Sequence, residues 1–253
     1  MESLNLDRKR PSLISGDAGI SELLHVDAPL SQVPSLVTAC CNHLLNHGLH
    51  TVGIFRVSSS KKRVRQLREE FDQGGEVVLT EEHCPHDVAT LLKEFFRDLP
   101  EPLLTRDLYE PFLCTQRIRN RKLKLEATQY LLQLLPPANR DTLYALLSFL
   151  TVVAEHAVDT VSETGQCLII KRNFQFPASL LILCTRRAGE TIPGNMMDSR
   201  NLATMFAPNI LHMHRAGADN ASPAALAAMA DERLDCTNVV RSMIDHNKEL
   251  FEV

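Results

Sequence analysis

The segment Gly53–Val57 places one arginine between apolar residues, and the chemistry open to this arginine is the stabilisation of negative charge. Its guanidinium is always charged, and its planar fork can bridge two oxygens of a phosphoryl group, which an ammonium cannot do. Gly53 allows a tight turn that would project the side chain of Arg56 outward. We therefore interpret Arg56 as a candidate catalytic residue. The alternative is a surface arginine where a loop meets a helix.

Two basic residues, Lys93 and Arg97, lie four positions apart within the segment 91–104. This spacing places both on one face of a helix, opposite the apolar residues of the same segment. One function open to the pair is a basic ridge that meets an acidic surface on a partner, although a solvated face is the commoner role of such residues. The alternative is a solvated helix face whose charge is balanced by the nearby acidic residues Glu94, Asp98 and Glu101.

An asparagine follows a proline near the end of a third segment, 201–211. The side-chain amide of Asn209 can donate a hydrogen bond to the backbone of a partner and also accept one from it. The alternative role for this residue is to cap the C-terminus of a short helix.

Together the segments Gly53–Val57, 91–104 and 201–211 resemble the RhoGAP domain, the domain that activates GTP hydrolysis by Rho-family small GTPases. The Leu-Pro-Glu-Pro-Leu sequence at 99–103 is highly specific to that family. The resemblance implies that this chain completes the active site of another protein.

The resemblance also implies a role for each candidate residue. Arg56 would be an arginine finger, placed in trans against the phosphates of the GTP that the partner GTPase holds. Lys93, Arg97 and Asn209 would bind the GTPase, with Arg97 also bracing the loop of Arg56 and Asn209 contacting the switch region.

Most of the chain takes part in the resemblance, which covers about 30–166 and 190–251. The stretch 56–72 is similar to the subgroup of Rho GTPase-activating proteins six and thirty-six. One departure is local: the family's Asn-Lys-Met appears here as Asn195–Met197, which removes a basic contact.

A second departure is an atypical insertion near 167–189, where the family has a short loop. Its apolar residues are expected to pack on the domain or to meet a partner, because they cannot sit comfortably in water. The insertion bears on the placement of Asn209 more than on that of Arg56.

The function implied is stimulation of GTP hydrolysis by a Rho-family GTPase in its GTP-bound state, and not catalysis by this chain alone. The chain has no Gly-x-x-x-x-Gly-Lys-[Ser/Thr] loop, so GTP and Mg²⁺ would belong to the partner, and we expect no cofactor and no metal. One alternative is an inactive RhoGAP-like module that binds a GTPase or other partner, the insertion having disturbed the site. Another is a thiol or metal hydrolase based on Cys84 with His86, or on His212 with His214.

Apolar residues at helical spacing, and no competing alternating pattern, predict a single all-α domain of about nine helices. Residues 1–20 are expected to be a flexible lead-in, and 21–253 the domain with its insertion. The helices are predicted at about 34–48, 61–72, 86–98, 107–113, 121–135, 139–157, 198–207 and 236–251.

Composition excludes several classes of function. A net charge of -4 and the absence of Trp argue against nucleic-acid binding, and no apolar run is long enough for a transmembrane helix. The seven irregularly spaced cysteines predict reduced thiols and a cytoplasmic protein, which could be recruited to the membrane or cytoskeleton. A peripheral membrane contact would use Lys61, Lys62, Arg63 and Arg65. His43, His47 and His50 are expected at the surface.

Overall fold

The computed structural model describes residues 32–74, 77–161, 166–171, 180–185, 191–213 and 223–251, so the expected lead-in at 1–20 lies outside the described residues. Within the described ranges the chain forms nine helices, which confirms the all-α class. None of these helices combines the length and the apolar content that a membrane crossing requires. The helices are α1 Ser35–His47, α2 Lys61–Asp72, α3 Pro85–Arg97, α4 Tyr109–Thr115, α5 Arg121–Gln133, α6 Pro137–Glu155, α7 Ser199–Ile210, α8 Pro223–Asp245 and α9 Asn247–Phe251.

Most helices begin and end within two or three residues of their predicted positions, because prolines and caps mark their ends. Pro85 and Pro137 occupy the first turns of α3 and α6, where a missing N–H costs nothing. The last prediction was wrong in extent: α8 begins at Pro223, well before 236. Its first half is rich in alanine, which favours a helix without producing the apolar period that signals one.

The core is built around α6, which packs against α1, α7, α8 and α9. Most of its apolar side chains are buried, because they recur at three- and four-residue spacing on one side of the helix. The α3 helix, which carries the first half of the segment 91–104, packs against α1, α2 and α7. The fully buried residues of α6 are Leu143, Leu146, Leu147, Phe149 and Leu150.

The sequence predicts no strand, but the described residues between α6 and α7 form four. Strands β2 Gln166–Lys171 and β3 Leu180–Thr185 form an antiparallel pair. They lie in the segment set apart as an insertion, whose apolar runs are too short to distinguish strand from helix by period. Strands β1 Thr160–Val161 and β4 Thr191–Ile192 also pair, so the two ends of this segment meet.

Candidate functional site

The loop between α1 and α2 turns sharply at Gly53, whose φ is 67°, a left-handed conformation that favours glycine. The carbonyl of Gly53 accepts hydrogen bonds from the backbone N–H groups of Arg56 and Val57, each at 2.9 Å. Ile54 and Phe55 are buried, whereas the side chain of Arg56 is exposed. The turn therefore anchors the apolar residues inside and presents the arginine outside, as the sequence predicts.

Phe55 carries the strain of this turn. Its φ is 69°, which is uncommon for an aromatic residue and costs roughly 1–3 kcal/mol. Its ring is 2 % exposed and packs edge-on against Phe149 of α6 and Phe206 of α7, with centroids 6.0 and 5.0 Å away. Burial of such a ring contributes about 1.5–3 kcal/mol, enough to offset that strain. The residue before Arg56 is thus fixed in the core.

Lys93, on α3, supports the loop that carries Arg56. Its Nζ donates a hydrogen bond to the backbone carbonyl of Phe55, at 2.5 Å. The side chain is half-buried, and burial lowers its pKa below that of an ordinary lysine, with Arg97 lowering it further and Glu94 opposing the shift. The structure thus brings this predicted site residue to the loop that carries Arg56.

Arg97, one turn further along α3, faces acids near its own end of the helix. Its guanidinium lies 3.0 Å from Asp98 and 3.7 Å from Glu94, and it is exposed. Arg68 of α2 also donates to Asp98, at 2.6 Å. Burial alone would raise the pKa of the Asp98 carboxyl, but the hydrogen bonds from the two arginines lower it below its ordinary value. The contacts of Arg97 therefore resemble the balanced helix face that the sequence offers as the alternative.

Asn195 is a buried residue of the site that the sequence does not single out. Its side-chain NH₂ donates to the carbonyls of Leu49 and Val153, at 2.8 and 2.9 Å, and its amide oxygen accepts from the N–H of Met197, at 2.8 Å. Its backbone carbonyl accepts from the N–H of Gly53, at 2.8 Å. One residue thus ties the loop of Arg56 to α6. The sequence signal that could have revealed Asn195 is its place at the start of the family's Asn-Lys-Met triplet, here Asn-Met-Met.

A short strap, residues 193–198, returns the chain from β4 to α7 against the end of α6. The N–H of Gly194 donates to Asp159 Oδ1 at 2.7 Å, and the N–H of Met196 donates to the carbonyl of Ala157 at 3.0 Å. A Cβ on Gly194 would lie 2.4 Å from that carbonyl oxygen, so only glycine fits. The strap is therefore held by the residues that follow α6, and these bonds do not involve the residues between β1 and β4.

Asp87 is a second buried polar residue that the sequence does not reveal. It is 1 % exposed, accepts a hydrogen bond from the N–H of Ser60 at 3.0 Å, and forms an ion pair with Arg63. Ser60 stands at the N-cap of α2, but its side chain makes no cap hydrogen bond. The carboxylate of α3 instead fixes the chain where the Arg56 loop enters α2.

Asn209 lies in the last turn of α7, half-buried, and its NH₂ donates to the carbonyl of Met205 at 2.7 Å. One residue further, the carbonyl of Ile210 accepts from the N–H of Leu104 at 3.0 Å, which joins the third segment to the second. Phe55 against Phe206 joins the first segment to the third. The structure thus brings the three segments together, as the resemblance implies.

The weaker candidates are Cys84 with His86 and His212 with His214. Cys84 stands at the start of α3 with no capping hydrogen bond, and His214 lies outside the described residues. Among the residues that were described, no group of three or more His, Cys, Asp or Glu side chains is arranged to hold a metal. His43, expected at the surface, is 3 % exposed, and its Nε2 lies 3.1 Å from the carbonyl of His83.

Comparisons with known proteins agree with this geometry. The RhoGAP domain family matches residues 34–215. The chain is 44% identical over its whole length to mouse Rho GTPase-activating protein 6, and 40% identical over 88% of its length to human Rho GTPase-activating protein 36. It spans only 23% and 36% of the lengths of these two relatives.

Two solved structures show the same fold. The crystal structure of human Rho GTPase activating protein 15 superposes with a TM-score of 0.64 at 23% identity, covering 96% of this chain and 100% of the other. The BH domain of GRAF, the GTPase regulator associated with focal adhesion kinase, gives 0.63 at 20% identity, covering 87% of this chain and 94% of the other. By sequence and by fold, the chain belongs to the RhoGAP domain family.

Proposed function

We propose that this chain stimulates GTP hydrolysis by a Rho-family small GTPase in its GTP-bound state, with Arg56 supplied in trans. The observation that carries the proposal is the construction of the Arg56 loop. An exposed arginine stands on a backbone that Gly53, Lys93 and Asn195 hold by hydrogen bonds. Similarity to proteins named Rho GTPase-activating proteins supports the same conclusion.

The chemistry asked of Arg56 is electrostatic. Phosphoryl transfer spreads negative charge over the oxygens of the γ-phosphate and the leaving group, and a guanidinium placed there stabilises the transition state more than the ground state. Such a group is worth roughly 10³–10⁵ in rate in related systems. GTP and Mg²⁺ would come with the partner, so this chain would need only position and charge.

The remaining site residues would act around the finger. Lys93 would hold the carbonyl of Phe55 and so set the direction of Arg56. Arg97 would exchange its contacts with Glu94 and Asp98 for acids of the GTPase. Asn209 would present its amide to the backbone of the switch region.

The inactive binding module is the less favoured function, because its premise is an insertion that disturbs the site. Strands β1 and β4 pair, and Gly194 and Met196 are bonded to the residues just before β1. The insertion therefore leaves and re-enters the domain at one place, and α7 keeps its position against Phe55.

Single-turnover GTP hydrolysis tests the proposal. A panel of Rho-family GTPases loaded with GTP would be mixed with this chain, with Arg56→Ala, or with Arg65→Ala as the matched control. Arg65 is also an exposed arginine close in sequence, but its ion pair with Glu69 on α2 is worth only a few tenths of a kcal/mol.

We expect acceleration by the wild-type chain and by Arg65→Ala, and a loss of about 10³-fold or more in Arg56→Ala. Binding to a GTPase held in the GTP state by a non-hydrolysable analogue would be measured in parallel. Tight binding without acceleration by the wild-type chain would instead establish the inactive module.

A further inference from the structure

A second basic run, residues 117–124, has five cations among eight residues and no acid. It forms the turn after α4 and the first turn of α5. The α5 helix packs against α4 and α9, and not against the helices that hold Arg56 within the described part of the chain. This run is thus a surface separate from the candidate site. Its cations are Arg117, Arg119, Arg121, Lys122 and Lys124.

The first basic run, on α2, is largely neutralised by its own domain. Arg63 pairs with Asp87, Arg65 with Glu69 at 2.9 Å, and Arg68 with Asp98 at 2.6 Å. Only the two lysines that begin α2 are left without an ion pair among the described residues.

In the second run, by contrast, most of the cations have no acidic partner among the described residues. Arg117, Arg119 and Lys122 are exposed and form no ion pair with any residue that the structure describes. Arg121 lies 3.2 Å from Glu249, and Lys124 donates to the amide of Gln116. Most of the positive charge of this run is therefore not neutralised within the domain and can attract an external anion.

The neighbouring part of α8 adds charges of both signs. A cleft beside the second run is lined by Arg241 and His246, and also by Asp235 and Asp245. Arg241 lies 3.5 Å from Asp245, so this pair is internally balanced. The excess positive charge of the surface accordingly comes from the turn at 117–122.

Large apolar side chains extend from this turn along α5. Leu123, Tyr130 and Leu134 are 54%, 60% and 68% exposed. Their spacing of seven and four residues places them on one face of a helix. The acid on this face is Glu126, which accepts a hydrogen bond from the hydroxyl of Tyr130 at 3.4 Å.

We infer that this surface, residues 117–134, docks on a membrane that contains anionic lipids. Three unpaired cations would be attracted to the headgroups, each by about a factor of five. Leu123 and Leu134 would enter the boundary of the acyl chains, and Tyr130, with an apolar ring and a polar tip, suits the interface itself. A free phosphate would need the cations alone, whereas the apolar face beside them fits a bilayer.

Sedimentation with lipid vesicles tests this inference without any GTPase. The vesicles would be phosphatidylcholine alone, or phosphatidylcholine with about a third phosphatidylserine, at about 0.1 M and 0.5 M salt. The variant Arg117→Glu/Arg119→Glu/Lys122→Glu would be compared with Lys61→Glu/Lys62→Glu/Arg65→Glu, which makes the same change in net charge on α2.

We expect the wild-type chain to bind only the anionic vesicles, and to bind them at least about 100-fold more tightly than the variant of the second run, which loses three attractions and gains three repulsions. The α2 variant should lose less than tenfold. Leu123→Ala, an exposed position, should weaken binding several-fold even at the higher salt concentration. Thermal melting would establish that each variant is folded.

Three outcomes would overturn the inference. The wild-type chain does not bind the anionic vesicles; the two charge-reversed variants lose affinity equally, so that only net charge matters; or Leu123→Ala binds as tightly as the wild-type chain, so that the surface attracts anions in general and inserts nothing.

Discussion

The loop of Arg56 and the turn at 117–122 both present cations to solvent, and they hold them in different ways. The loop fixes its backbone with buried polar groups, since Asn195 is fully buried and Lys93 half-buried beneath it. The basic turn has exposed charges and, at the start of α5, one cap in which Asn120 accepts from the N–H of Leu123 at 3.2 Å.

This difference separates two uses of positive charge. A transition state has a position, so a single guanidinium must be aimed and its supporting atoms cannot move. The headgroup charges of a membrane are spread over its whole surface, so the number of cations that face them matters more than the direction of each. The loop should accordingly be sensitive to the loss of a buried hydrogen bond, and the turn to salt.

The largest effect on stability should come from Asn195→Ala. The change removes the side-chain partners of the Leu49 carbonyl and of the Met197 N–H, whereas the Val153 carbonyl still accepts from the N–H of His156. Each unsatisfied buried group costs about 1–3 kcal/mol, partly relieved by water, so we expect a loss of about 3 kcal/mol in the free energy of unfolding. Urea denaturation measures it.

Asn201→Ala is the matched control, because Asn201 donates to the carbonyl of Met196 at 3.1 Å from a more exposed position. It should cost less than about 1 kcal/mol. Equal losses in the two variants would contradict the view that burial makes the hydrogen bonds of Asn195 important for stability.

Acid should destabilise the region of α1 through His43. Burial, with a smaller contribution from the neighbouring His47, lowers the pKa of His43 to about 4. An ordinary histidine titrates near 6.5, so the unfolded chain takes up this proton first as the pH falls. The stability that the neutral ring contributes is present above pH 6.5 and is lost towards pH 4, by about 2 kcal/mol at pH 5.

Unfolding measured in urea at pH 7 and pH 5 checks this prediction. His43→Gln should lose less stability between the two pH values than the wild-type chain. His47→Gln removes the neighbouring charge but not the burial of His43, which is the main cause of the pKa shift, so it should keep most of the wild-type pH dependence. An unchanged pH dependence in His43→Gln would show that another group takes up the proton.

Much of this architecture could be predicted from sequence, because local signals specify it. Helix α2 ends where predicted, since Gly74, whose φ is 73°, follows its C-cap Gln73. Gly53 predicts the turn that presents Arg56. These features depend on residues within a few positions of each other, where propensity and capping act.

The parts that sequence reasoning missed depend on contacts between distant residues. Asn195 bonds to Leu49, 146 positions earlier, and the carboxylate of Asp87 bonds to Ser60, 27 positions earlier. The Asn-Met-Met sequence marks the position of Asn195 but not its burial, and no local pattern marks Asp87 as buried. The predicted surface position of His43 is wrong for the same reason.

The smallest effects, about 1 kcal/mol each, should come from the caps of the two regions. Asp198 accepts from the N–H of Asn201 at 2.7 Å at the start of α7, and Asn120 caps α5. Asp198→Ala and Asn120→Ala should therefore lower stability alike.

The two variants should differ in activity. Only Asp198→Ala, which loosens the strap beside Gly53, should also slow stimulated GTP hydrolysis, by less than about tenfold. Only Asn120→Ala should weaken binding to anionic vesicles. If both variants changed both activities equally, general stability, and not the local hold on each cation, would account for the difference between the two regions.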